Sequence, residues 1–225
     1  MTRAILSRSI LSAMTRPVFL DVDNTLLDND AAKAALGSRI AAAVPHAVAR
    51  RFWDLYQLVR DANDYVDFPT TVTKLAAEHA TDAARIRRIL DELPYREFVY
   101  PGALETIARL WRTATPVILS DGDPVFQPRK IERAGLAAAV RGNVLIYVHK
   151  DERLAEIMRR FPGPRPVFVD DKAPILGHVE RQVADAVTVH VRQGKYASEP
   201  VDAGDPPPDL EIAGIADLPA AIATV

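Results

Sequence analysis

The chain has 225 residues, 48% of them hydrophobic and 26% charged, with a formal net charge of −2 at pH 7. This length suits one large domain or a core with a smaller insert, and the charge balance offers no bulk attraction to nucleic acid or an anionic membrane. Cysteine is absent, which excludes disulfides, thiolate nucleophiles and thiolate-bound metals and fits a reducing, cytoplasmic location; no apolar run approaches the ~18 residues of a membrane span.

The chain begins MTRAILSRSILSAMTR, with Arg3, Arg8 and Arg16 and no acid. That composition could suit an organellar transit peptide. Met14, however, stands just before the first apolar segment, so translation is expected to start there, with residues 1–16 an extension outside the fold.

Residues 17–22, 116–120, 144–148, 166–170 and 186–191 read as strands, rich in Val, Ile, Leu or Phe with little alternation, as in parallel strands covered on both faces. Pro17, Pro116 and Pro166 lead three of them, where a missing N–H costs least. Residues 103–111, 129–140 and 151–161 show helical spacing between the later strands. Alternating strands and helices predict an α/β fold with a doubly wound parallel sheet.

Residues 29–99 break the pattern. They hold no strand, only helical segments at 31–44, 46–63, 70–79 and 82–93, punctuated by Pro45, Pro69 and Pro94. A crossover needs far fewer residues. The expected organisation is therefore a core of 17–28 and 100–225 with a small helical domain inserted at 29–99. GDPPPD at 204–209 reads as a stiff loop, followed by a short strand and a terminal helix.

Four strand ends carry chemistry. VFLDVDNTLLD runs from a strand into Asp21 and Asp23, where open parallel sheets bind ligands. Two carboxylates there can bind a hard cation or divide labour as nucleophile and acid/base; alone, they could equally cap a turn. VILSDG ends in Ser120, whose hydroxyl, with the backbone N–H groups of Asp121 and Gly122, can hold phosphate oxygens. Lys150 follows the third strand and can neutralise a phosphate and a nucleophile. VFVDDK ends in Asp170 and Asp171, which suggest a metal site.

In this order, DVDNT, LSDG, Lys150 and VDD resemble the motifs of the haloacid dehalogenase-like (HAD) superfamily, over essentially Pro17 to the C-terminus. The resemblance implies a Rossmann-like core whose helical insert is a cap, and a phosphatase requiring Mg2+. Asp21 would attack phosphorus to form an aspartyl-phosphate, and Asp23 would protonate the leaving alcohol and then activate water. Asp21, the Asp23 carbonyl and Asp171 would hold magnesium, with Asp170 ranked second. Ser120 and Lys150 would bind the phosphoryl group. Dehalogenases of the superfamily lack the second aspartate, so Asp23 favours phosphoryl chemistry; phosphomutases retain both.

The sequence departs from the pattern at Asp121, where asparagine is frequent, and at Ile175, where an acid is usual. Lys172 is a second candidate cation, whereas Lys130 reads as a helix-surface lysine. Rival readings are a receiver domain, which is near half this length, and a catalytically silent binding protein. In the insert, Arg60, Asp64 and Tyr65 are candidates to line a cleft, and Arg192, Lys195 and Tyr196 of VRQGKYA could reach it. The expected partner is a small phosphate ester, with no nucleic acid or membrane, acting on a monomer or homodimer.

Overall fold

The computed structural model describes residues 15–63, 65–197 and 204–225. Expectations for residues 1–14, including a start at Met14, lie outside them, as does Asp64. Six strands, β1 (Arg16–Leu20), β2 (Ala114–Asp121), β3 (Val144–Tyr147), β4 (Val167–Asp170), β5 (Val187–Val191) and β6 (Leu210–Ile212), form one parallel sheet of order β3-β2-β1-β4-β5-β6. Reading out from β1 in both directions, the chain winds the sheet twice, as an α/β fold of this class requires.

Successive strand residues face opposite sides of the sheet. Val18, Leu20, Ile118 and Val169 therefore enter one core cluster, while Phe19, Val117, Leu119 and Phe168 enter another on the opposite face. Burial on both sides explains why these strands read as continuous apolar runs. Phe19 stacks on Phe168 with ring centroids 4.7 Å apart.

Between β1 and β2 run three long helices, α1 (Asn29–Ala43), α2 (His46–Asn63) and α3 (Phe68–Glu92). Asp28 caps α1 by accepting the Ala31 N–H at 2.8 Å, and Asp67 caps α3 by accepting the Thr70 N–H at 2.8 Å. The two segments expected at 70–79 and 82–93 both fall on α3, separated by a kink at His79 (φ −142°, ψ 65°). The chains leading out to the helices and back lie side by side as a short ribbon. Asp28 N–H donates to Phe98 O at 2.8 Å, Tyr100 N–H to Leu26 O at 3.0 Å, and Leu27 bridges Val99.

The remaining helices are α4 (Ala103–Leu110), α5 (Phe126–Arg133), α6 (Leu136–Ala139), α7 (Leu154–Arg160), α8 (Ala173–Gln182) and α9 (Leu218–Ala221). The expected helix at 129–140 begins three residues earlier and divides at Gly135, whose left-handed φ of 78° ends α5. Helix α8, with Pro174 in its first turn, has no counterpart in the sequence reading. Arg16, set aside with the extension, belongs to β1, and its Nε donates to Arg165 O at 2.6 Å. Strand β1 stops at Leu20, short of the expected 22, because Val22 O turns to accept the N–H groups of Leu26 and Leu27. Among the described residues, no helix is long and apolar enough to cross a membrane.

Phe19 is 1% exposed and packs tightly on its face of the sheet. Phe19→Ala is expected to lower stability by about 3–5 kcal/mol through lost burial and a residual cavity, measured as a shift in the urea unfolding midpoint.

Candidate active site

The carboxyl ends of β1, β2 and β4 lie side by side, so Asp21, Ser120 and Asp170 emerge at one edge of the sheet. Lys150, in the single turn after β3, reaches back beneath β2 to meet them. Its ammonium donates to Asp21 Oδ1 at 2.5 Å and to Leu119 O at 3.3 Å, and pairs with Asp170 Oδ2 at 2.7 Å. The side chain is 3% exposed. Its backbone N–H donates to Asp121 Oδ1 at 2.8 Å, which fixes the turn. Of the two candidate lysines, Lys150 is thus the one on Asp21, whereas Lys172 borders the cleft with its Nζ 5.6 Å from the Tyr196 ring centroid.

Asp21, Asp170 and Asp171 are all buried, and one carboxylate oxygen from each lies within 4.8 Å of the others. Asp170 is already engaged, with Oδ2 on Lys150 and Oδ1 accepting the Lys172 N–H at 2.9 Å. Asp171 differs, because both of its oxygens are buried without a hydrogen-bond partner. An orphaned buried carboxylate is costly unless protonated or matched by a cation. Burial, then Asp170 and Asp21, push Asp171 up to about 9. Burial likewise raises Asp21 to about 7, against the pull of Lys150. Burial alone would lower Lys150, but Asp170, Asp21 and Asp121 overcome this and hold it well above its usual range. This oxygen-rich, cation-deficient donor set fits a hard divalent ion.

Asp23 lies on the insert side of this centre, and its partners come from α5. Lys130, 4% exposed, pairs with Asp23 Oδ1 and donates to Asn29 Oδ1 at 2.8 Å. Gln127 donates to Ser120 Oγ at 2.9 Å and to Asp23 Oδ2 at 3.3 Å. Lys130 is therefore no helix-surface lysine. Its signal was its spacing: Gln127 and Lys130 share a face with the buried Ile131 and Ala134, so they must point inward. Starting the helix at 129 hid Gln127. The expectation for Gly122 also changes, because its N–H donates to Tyr147 O at 2.9 Å and is unavailable to a phosphate. A side chain at Gly122 would strike Gln127, so its value is close approach.

A cavity of about 460 Å³ opens between this centre and the inserted helices. Asp23, Asp121 and Gly122 border it from the sheet, and Arg60 and Tyr65 line it from the insert. Of the three candidates after β5, Lys195 and Tyr196 form part of its wall, whereas Arg192 pairs with Glu211 at 3.0 Å. His149 borders the cavity, while His190 is buried with Nε2 3.0 Å from Asp171 O.

No family model and no curated protein matches the chain. Among solved structures, a haloacid dehalogenase-like protein from Burkholderia xenovorans LB400 is 38% identical, covering 93% of this chain and 98% of its own, with a TM-score of 0.84. The chain belongs to the haloacid dehalogenase-like superfamily. Two more distant HAD structures share the fold. They are magnesium-bound YfnB from Bacillus subtilis (17% identity, 91% of this chain and 97% of that one, TM-score 0.60) and L-2-haloacid dehalogenase from Xanthobacter autotrophicus with chloropropionic acid covalently bound (19%, 93% and 99%, 0.61).

In this HAD chain the acid-rich centre makes stability depend on pH. Asp171 is raised from 3.8 to about 9 by folding, so the folded state binds the extra proton and loses stability as pH climbs through that window. Asp171→Asn is therefore expected to raise the melting temperature of metal-free protein at about pH 8. Magnesium should stabilise the wild type more at about pH 8 than at about pH 5, and the variant little at either. Differential scanning calorimetry with and without the ion reads both effects.

Proposed function

We propose that this HAD-like hydrolase is a magnesium-dependent phosphatase of a small phosphorylated metabolite, working through an aspartyl-phosphate on Asp21. The observation that carries this reading is the orphaned Asp171 carboxylate beside Asp21 and Asp170. A site with unmatched buried negative charge gains from a divalent ion, and phosphoryl transfer is the chemistry that uses one. Asp21, Asp171 and the Asp23 carbonyl would hold magnesium, with Asp170 engaged chiefly by Lys150. When bound, the ion supplies charge neutralisation for the phosphate.

The chain's own residues perform the remaining work. Lys150 holds Asp21 in place and would lend its charge to the incoming phosphoryl group, and Ser120, oriented by Gln127, would donate to one of its oxygens. Asp21 attacks phosphorus, and the leaving alkoxide takes a proton from Asp23. Asp23 then removes a proton from the water that hydrolyses the acyl phosphate. Lys130 and Gln127 fix the direction of the Asp23 carboxylate. Haloacid dehalogenation would use the same nucleophile but leaves halide, which needs no proton, so Asp23 would have no task there. A phosphomutase would keep both aspartates and differ in the acceptor. The inserted helices act as a cap that sets the leaving group, and the expected location is the cytoplasm.

Phosphate release from a panel of small esters tests the reading. Turnover is expected only with magnesium and to vanish in Asp21→Asn. Asp23→Asn should lower kcat by about 10²–10⁴-fold with a smaller change in KM. Lys130→Met should lower kcat less, and Asp23→Asn combined with Lys130→Met should be no slower than Asp23→Asn alone, because the lysine acts through the aspartate.

A further inference from the structure

Among the described residues three lysines at the cleft wall, Lys33, Lys172 and Lys195, have no ion pair, and Lys172 feels the charges of Asp170 and Asp21. Lys33, on α1, donates to Tyr56 Oη at 3.2 Å and lies 4.5 Å from the centre of that ring. Lys195 lies 4.5 Å from the centre of the Tyr196 ring. Neither has an ion-pair partner within 4.0 Å among the described residues. An aromatic face orients an ammonium without neutralising it, leaving its charge to act on a ligand.

The acids of the same cavity also have partners, although those of Asp121 and Asp30 are backbone N–H groups that leave the charge in place. Asp23 pairs with Lys130, Asp121 accepts from the Lys150 N–H, and Asp151 lies 3.6 Å from His178. Asp30 accepts the Lys195 N–H at 2.9 Å. That last bond joins the loop after β5 to the first turn of α1, and Lys33 lies one turn beyond Asp30 on the same helix face. The two lysines therefore flank one stretch of wall. The loop is also built in place: Gly194 has φ 64° and sits so close to Asn24 that no side chain would fit, and Gln193 donates to Thr25 O at 3.4 Å. It is docked against the turn carrying Asp23.

We propose that the substrate carries a second anionic group, a carboxylate or another phosphate, and that Lys33 and Lys195 receive it while Lys150 and the Asp21 centre receive the reacting phosphate. This rests on the phosphatase reading above. Arg60 borders the same cavity and adds to its positive wall.

The test compares matched esters with magnesium: phosphoglycolate against hydroxyethyl phosphate, and propanediol bisphosphate against propanediol monophosphate. The wild type is expected to prefer one doubly anionic member by about tenfold or more in kcat/KM, chiefly through KM. The first pair reports a carboxylate and the second a phosphate. Replacing both lysines by methionine should bring that ratio close to unity, and replacing both by arginine should keep it. Equal use of both members by the wild type, or a preference that survives the methionine variant, overturns the second-anion proposal and leaves the phosphatase intact. Metal-dependent turnover of no ester, in protein with native circular dichroism, overturns both.

Discussion

Lys150 is almost wholly buried, and a buried ammonium is stable only among carboxylates. Asp21 and Asp170 meet that need, and each is the terminus of a different structural element. Bringing them together requires β1 between β2 and β4, and requires the turn after β3 to fold back under β2. The strand order, the parallel directions and the placement of Lys150 are thus one constraint. The same cluster leaves Asp171 unmatched, so the arrangement that satisfies the lysine also creates room for a further positive charge. Stability and chemistry draw on one set of groups, and in metal-free protein they oppose each other.

Much of this was legible in the residues. The apolar runs ending in Asp21, Ser120 and Asp170 marked both the sheet and the edge that carries the candidate site, because parallel strands are buried on two faces and such sheets bind ligands at their carboxyl ends. The long strand-free stretch after Asp28 marked the insert. What escaped depended on partners distant in sequence. Lys130 looks like a solvated lysine until Asp23, 107 residues away, is placed beside it. Lys195 and Tyr196 were legible as candidates for the cleft, but the close approach of Gly194 to Asn24 that holds their loop there was not. Helix α8 has Pro174 in its first turn, and proline there starts a helix as readily as it stops one.

The insert packs on the core through apolar residues, with Phe68 4.8 Å from Phe126 between ring centroids, and it reaches the candidate site through a few polar contacts. Asn29 at the start of α1 shares Lys130 with Asp23, and its own N–H donates to Asn24 Oδ1 at 3.1 Å. Asn24 itself adopts φ 64°, a conformation asparagine tolerates better than most residues, which lets the chain turn sharply between the two aspartates and the helices. Movement of α1 would therefore be felt first at Asp23, whereas Asp21 and Lys150 are held by the sheet.

The ribbon that joins the helices to the sheet has an architectural consequence. Its two chains are a hydrogen bond apart at Asp28 and Phe98, so everything between them is inserted at a single point of the connection from β1 to β2. A turn of a few residues could close that gap, and the order and register of the six strands would not notice. An insert of another length could leave from the same ribbon without changing the order of the strands beneath it.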